Sequence, residues 1–67
     1  MPDEWFHLEY VKVVKITSAA VLFELQSGRQ WVPISQIASA DMDGLDEGDR
    51  DGSVCISEWF ANKEGLT

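Results

Sequence analysis

Apolar and polar positions alternate most clearly in AVLFELQSGRQWVPI, residues 20–34, where two apolar runs meet at Ser27-Gly28. A two-residue step containing glycine, set between β-branched and aromatic runs, predicts a tight hairpin. With Ser27 and Gly28 as the turn, Gln26 faces Arg29, Glu24 faces Trp31 and Phe23 faces Val32. One side of the hairpin then carries Val21, Phe23, Val32 and Ile34, and the other Glu24, Gln26, Arg29 and Trp31. A slip of one residue would scatter both sets. Pro33 has no N–H to give a ladder and is expected at an edge or a strand end.

Upstream, WFHLEYVKVVKIT, residues 5–17, is rich in β-branched and aromatic types and contains neither Gly nor Pro. It predicts a long strand or a bent pair, and its broken alternation marks a bulge or a crossing between sheets. TSAA, residues 17–20, reads as a turn. After Ile37 the segment ASADMDGLDEGDRDG, residues 38–52, is small, acidic and glycine-containing, which predicts a long exposed loop. SVCI, residues 53–56, follows as a short strand. Ser57 suits a helix N-cap and Glu58 the positive end of the helix dipole. Gly65-Leu66 suits a left-handed cap with Leu66 against Phe60 or Ala61. The expected fold is mainly β: a small antiparallel SH3-like barrel of four or five strands, with an OB-like barrel as rival and one short C-terminal helix. A single domain, 1–67, is expected, with an acidic loop at about 38–52.

Length and charge narrow the function classes. A chain of 67 residues buries only about 60% of the surface it exposes unfolded, so the core must be compact. The single cysteine, Cys55, excludes an internal disulfide and a multi-cysteine zinc site, which makes a reduced, cytoplasmic setting the expectation. No apolar run approaches the roughly 20 residues of a membrane span, and MPDEWFHLEY has acids where a secretory leader needs basic residues. The net charge is −7, and residues 41–51 hold six acids and one Arg. Such a balance disfavours direct binding to a phosphate backbone and points to a protein partner with a basic surface. Lys12, Lys15 and Arg29 could nevertheless share one face.

EGDRDGSVCISEW, residues 47–59, has the spacing of a calcium loop. Glu47, Asp49, Asp51, Ser53 and Glu58 fall at ligand positions, and Gly52 at the bend. The flanks disagree, because SQIASADMDGL lacks a helical apolar face and contains Gly44. The expectation is therefore no metal or other cofactor, with Gly52 serving a turn.

The segments AAVLFELQSGRQWVPISQI, residues 19–37, and SEWFANKEGL, residues 57–66, carry a resemblance. With its Trp-x-Pro-x-Ser strand end and closing Ser-x-Trp-x-Ala-x-Lys-x-Gly-Leu segment, the chain resembles short uncharacterised proteins of bacteriophages and other mobile elements. The resemblance covers about half the chain. It implies that the acidic loop is the variable part, and it brings no catalytic residues.

Trp31 is the leading candidate for a contact residue, since its side of the hairpin lies opposite the apolar one. The competing expectation is that the terminal helix covers it through Trp59 or Phe60. Trp5 and Phe6 fit either an exposed patch or a cap on the barrel end. His7 is expected half-buried in a strand, and Cys55 as a small buried side chain. No nucleophile elbow or phosphate-cradling glycine loop is present, so an enzyme is not expected. The expected function is a non-enzymatic interaction module of a phage or mobile element, with a binding surface of Trp31, Pro33, Glu24, Arg29 and Trp59. The acidic loop of Asp41, Asp43, Asp46, Glu47, Asp49 and Asp51 would steer a basic partner. The alternatives are an acidic mimic of a nucleic-acid backbone and calcium binding at 47–58.

Overall fold

The computed structural model describes residues 4–66. Four antiparallel strands form one sheet: β1 Trp5–Ile16, β2 Ala20–Leu25, β3 Gly28–Pro33 and β4 Arg50–Ser57, in the order β3-β2-β1-β4. A 3-10 turn at Ile34–Gln36 and the short helix α1, Ser39–Asp43, connect β3 to β4, and α2, Glu58–Lys63, follows β4. The mainly β expectation is met. The sheet is open, however, with β3 and β4 as separate edges, so the four strands do not close into a barrel. A second short helix appears inside what was expected to be loop, and β4 begins at Arg50, three residues before the strand read from SVCI.

Alternation decides the two faces of the hairpin, and they are as expected: Val21, Phe23 and Val32 are buried, while Gln26, Arg29 and Trp31 are exposed. Its register differs by two residues. Gln26 and Ser27 form the turn, Leu25 pairs with Gly28, Glu24 with Arg29 and Leu22 with Trp31. A two-residue shift preserves parity, which is why the faces survive it. Gly28, at φ 135°, accepts the abrupt return that a side chain would resist.

The break in the β1 pattern is a bulge. Lys12 and Val13 pair with Glu24 and Phe23, but Lys15 and Ile16 pair with Leu22 and Val21, so Val14 is an extra residue. The buried cluster centres on Val13, Val21, Phe23, Val32 and Ile56, which are fully covered. Phe60 and Ala61 bring α2 onto it.

The C-terminal signals read from the sequence are present. The Ser57 hydroxyl accepts the Phe60 N–H at 3.1 Å, capping α2. Gly65 has φ 70°, and the Leu66 N–H donates to the Ala61 carbonyl at 2.8 Å, with Leu66 packed on the core. Ser57 is itself buried and donates to Gln36 Oε1, so one hydroxyl joins the 3-10 turn, the end of β4 and α2. Among the described residues no helix is long and apolar enough to cross a membrane.

Candidate functional site

Trp31 is 46% exposed, and helix α2 does not cover it. That helix packs on β4 and β1, whereas Trp31 lies on β3 at the other edge of the sheet. Trp59, 61% exposed, stays on α2 with the Lys63 ammonium 5.1 Å over its ring. The expected joint surface of Trp31 with Trp59 is therefore divided. The ring pair found among the described residues is Tyr10 with Phe23, inside the core.

What surrounds Trp31 is basic. Arg50, Lys12, Glu24 and Arg29 are successive cross-strand partners, one from each of β4, β1, β2 and β3. Lys12, Glu24 and Arg29 share the face opposite Val13 and Phe23, and Arg50 stands at the end of their row, next to the positive-φ Asp51 that interrupts the regular backbone of β4. Lys15, Leu22 and Trp31 form the next row. Lys12 and Lys15 are three apart and would point to opposite faces of a regular strand; the extra residue at Val14 puts both on the same one. Four of the chain's five basic residues thus lie in these two rows, with Lys12, Lys15 and Arg29 on one face. Glu24 is the one carboxylate within these two rows, in a chain of net charge −7. No ion pair holds any of the four among the described residues. Half-buried Leu22 and Pro33, beside Trp31, add apolar surface.

The edge of β3 adds backbone donors. The Ile34 N–H donates to the Ala19 carbonyl at 3.0 Å, which extends the β2–β3 ladder by one pair. Hydrogen-bonded residues alternate along an antiparallel strand, so Gly28, Gln30, Val32 and Ile34 bond inward, and Arg29, Trp31 and Pro33 turn their backbone groups outward. In agreement, the Trp31 carbonyl accepts the Gln30 side-chain amide at 2.9 Å. The β4 edge is treated differently. Ile37 bridges to Ile56, the Ala38 N–H bonds to the Cys55 carbonyl, and Asp41 accepts the Cys55 N–H at 2.7 Å.

Three of the six carboxylates of the acidic segment, those of Asp41, Glu47 and Asp49, accept backbone N–H groups. Besides Asp41, Glu47 accepts the Ile16 N–H at 2.8 Å, and Asp49 accepts the Asp46 N–H at 2.9 Å. Asp43 and Asp46 are exposed, and Asp51 belongs to β4 with φ 53°. The calcium spacing is not realised as a loop, because Asp51, Gly52 and Ser53 lie in strand β4 and Glu58 in α2. An extended strand runs on at about 3.3 Å per residue and does not wrap these positions around an ion. Gly52 serves no turn; it faces Tyr10 across β1 and β4. Among the described residues no group of three or more His, Cys, Asp or Glu side chains could hold a metal ion.

His7 and Cys55 are cross-strand partners, with Nε2 3.6 Å from Sγ. Neither is placed as expected: His7 is exposed and Cys55 half-buried, because both side chains lie on the outer side of β1 and β4. Burial, and then the neighbouring Asp41 carboxylate, push the Cys55 thiol pKa upward, which keeps it protonated and a poor nucleophile. Sequence could not find this contact, since 48 residues separate the pair.

An open groove of about 680 Å³ lies between β1, β4, the hairpin tip and Gly65-Leu66. Phe6, Leu8 and Tyr10 line it, with Glu9 and Asp51 among its polar residues. Trp5 is 41% exposed, whereas Phe6 packs on the core. Comparison of the chain with protein-family models, curated proteins and solved structures finds no match.

Proposed function

We propose that this chain is a non-enzymatic binding module whose contact surface is the outer side of the sheet around Trp31. The observation that carries this reading is the meeting of Lys12, Lys15 and Arg29 with an exposed tryptophan on one face of an otherwise acidic molecule, with Arg50 at the end of their row. An exposed aromatic beside unpaired cations supplies an anchor and charge complementarity together. The partner proposed is acidic where it touches this face. The basic partner suggested by composition rests on a loop whose carboxylates at Asp41, Glu47 and Asp49 already accept backbone N–H groups. A second reading keeps that partner, seated in the groove beside Glu9 and Asp51.

Selection from a random dodecapeptide display library tests the choice. Peptides enriched on the wild-type chain should be acidic and should lose binding to Trp31→Ala and to Lys12→Glu/Arg29→Glu. Enriched peptides that are basic, or that bind these variants unchanged, overturn the assignment.

A further inference from the structure

We infer that the partner is an extended protein segment that adds to the open edge of β3 as a fifth strand and places an acidic residue beside Arg29 and an apolar or aromatic residue beside Trp31. The inference rests on the reading that the Trp31 side of the sheet is the contact surface, and it specifies how that surface is used.

Two independent observations lead there. The first is the backbone. Arg29 and Trp31 point their N–H groups out of the sheet, and the carbonyls of Arg29, Trp31 and Pro33 point the same way. The opposite edge of the sheet is covered at Cys55 and Ile56 by Ile37, Ala38 and the Asp41 carboxylate, whereas among the described residues no segment pairs with the outer edge of β3. An extended peptide satisfies such an edge with main-chain hydrogen bonds, and its alternate side chains supply the specificity.

The second is the chemistry of the face next to that edge. Arg29 and Trp31 are two residues apart and share the outer side, so an added strand sets two of its own residues, also two apart, beside them. Arg29 calls for a carboxylate, and the exposed Trp31 ring calls for an apolar or aromatic neighbour. The recognised pattern is therefore an acid, any residue, then an apolar residue, or the reverse order for a strand of opposite direction. Lys12 and Lys15 lie further in on the same face and draw an acidic segment toward the edge over a distance of about one Debye length. Pro33 ends the row of donors, which limits the added strand to the span of β3. A nucleic-acid strand would use the cations but leave the two N–H groups unpaired, and the net charge of −7 opposes a polyanion.

The test uses the whole chain and a ten-residue Thr-rich peptide with Glu-Thr-Tyr at its centre. Its comparators are the same peptide with Lys in place of Glu, the same peptide N-methylated on its central amides, and a ten-nucleotide oligo-dT. Saturable binding should slow hydrogen exchange at the Arg29 and Trp31 amides, and the Lys and N-methylated peptides should bind at least about tenfold more weakly. Arg29→Glu should invert the preference, so that the Lys peptide becomes the tighter ligand. Shifts on the Trp31 face without protection of those two amides overturn strand addition and leave the surface assignment standing. Binding of oligo-dT in preference to peptide, or self-association of the chain through β3, overturns the class of partner. Absence of any binding by the Glu peptide overturns the inference, while the display selection decides the surface independently.

Discussion

The Cys55 N–H donates to the Asp41 carboxylate at 2.7 Å, a bond that ties helix α1 to the edge of β4 across 14 residues of chain. It converts an acid from the apparently solvated segment into a structural acceptor, and it blocks the edge that would otherwise stand open.

Replacing Asp41 with Ala orphans a partly buried backbone donor and should lower stability by about 1–3 kcal/mol, measured by denaturant unfolding. Asp41→Asn keeps an acceptor and should recover part of that loss. Both variants should lower the Cys55 thiol pKa toward its ordinary value, because the carboxylate is one of the causes that raise it. Burial, the larger cause, remains, so a raised value should persist. A pH profile of thiol alkylation that is identical in wild type and Asp41→Asn would contradict this assignment.

Gly52 sits opposite Tyr10, and a Cβ there would meet the Tyr10 hydroxyl and lie 2.7 Å from Cζ of its ring. That ring is held in the core against Phe23, at a centroid distance of 5.3 Å, and cannot simply swing away. Gly52→Ala should therefore cost about 1–3 kcal/mol. Equal melting temperatures for the variant and wild type would show that the sheet accommodates the methyl group without strain.

Trp31 and Phe23 are both large aromatics of one hairpin with opposite fates. Trp31→Ala should change stability by less than about 1 kcal/mol, since nearly half the side chain is already in water. Phe23→Ala removes a fully buried ring and should cost about 3–5 kcal/mol, enough to unfold much of a domain this small. Near-equal losses in urea titrations would mean that Trp31 is packed and not presented.

The Glu58 side-chain pKa is raised, first by a hydrogen bond with Glu4 and then by repulsion from its charge. A carboxyl whose pKa is higher folded than unfolded favours folding when protonated, and that contribution fades as pH rises through the raised value. Stability linked to this pair should therefore grow as pH falls into the carboxylate range from above. Glu4→Gln removes the carboxylate partner and should bring the Glu58 titration, followed by side-chain carbon NMR, down toward an ordinary carboxylate. An unmoved titration would contradict the pairing.

Hairpin faces and the α2 caps were legible in the sequence because each depends on local rules. Parity separates Val21, Phe23 and Val32 from Arg29 and Trp31, and Ser57 and Gly65 signal helix ends through their own backbone chemistry. The hairpin register was not legible, since a turn at Gln26-Ser27 and one at Ser27-Gly28 give the same faces. The cation row was only half visible. Lys12 and Lys15 have the wrong spacing for a shared face until the extra Val14 is counted, and Arg50 joins them only through the pairing of β1 with β4. The acidic segment misled for a related reason: the backbone partners of Asp41 and Glu47 lie 14 and 31 residues away, beyond what composition encodes.

The most direct measurement is a two-dimensional amide and indole NMR map of the chain, recorded with and without a peptide selected on the wild-type protein. Shifts gathered on Lys12, Lys15, Leu22, Glu24, Arg29, Trp31 and Arg50 are the predicted result. Shifts gathered on the acidic segment 41–51, around Trp59 or along the groove at Phe6, Leu8 and Tyr10 would contradict the proposed surface.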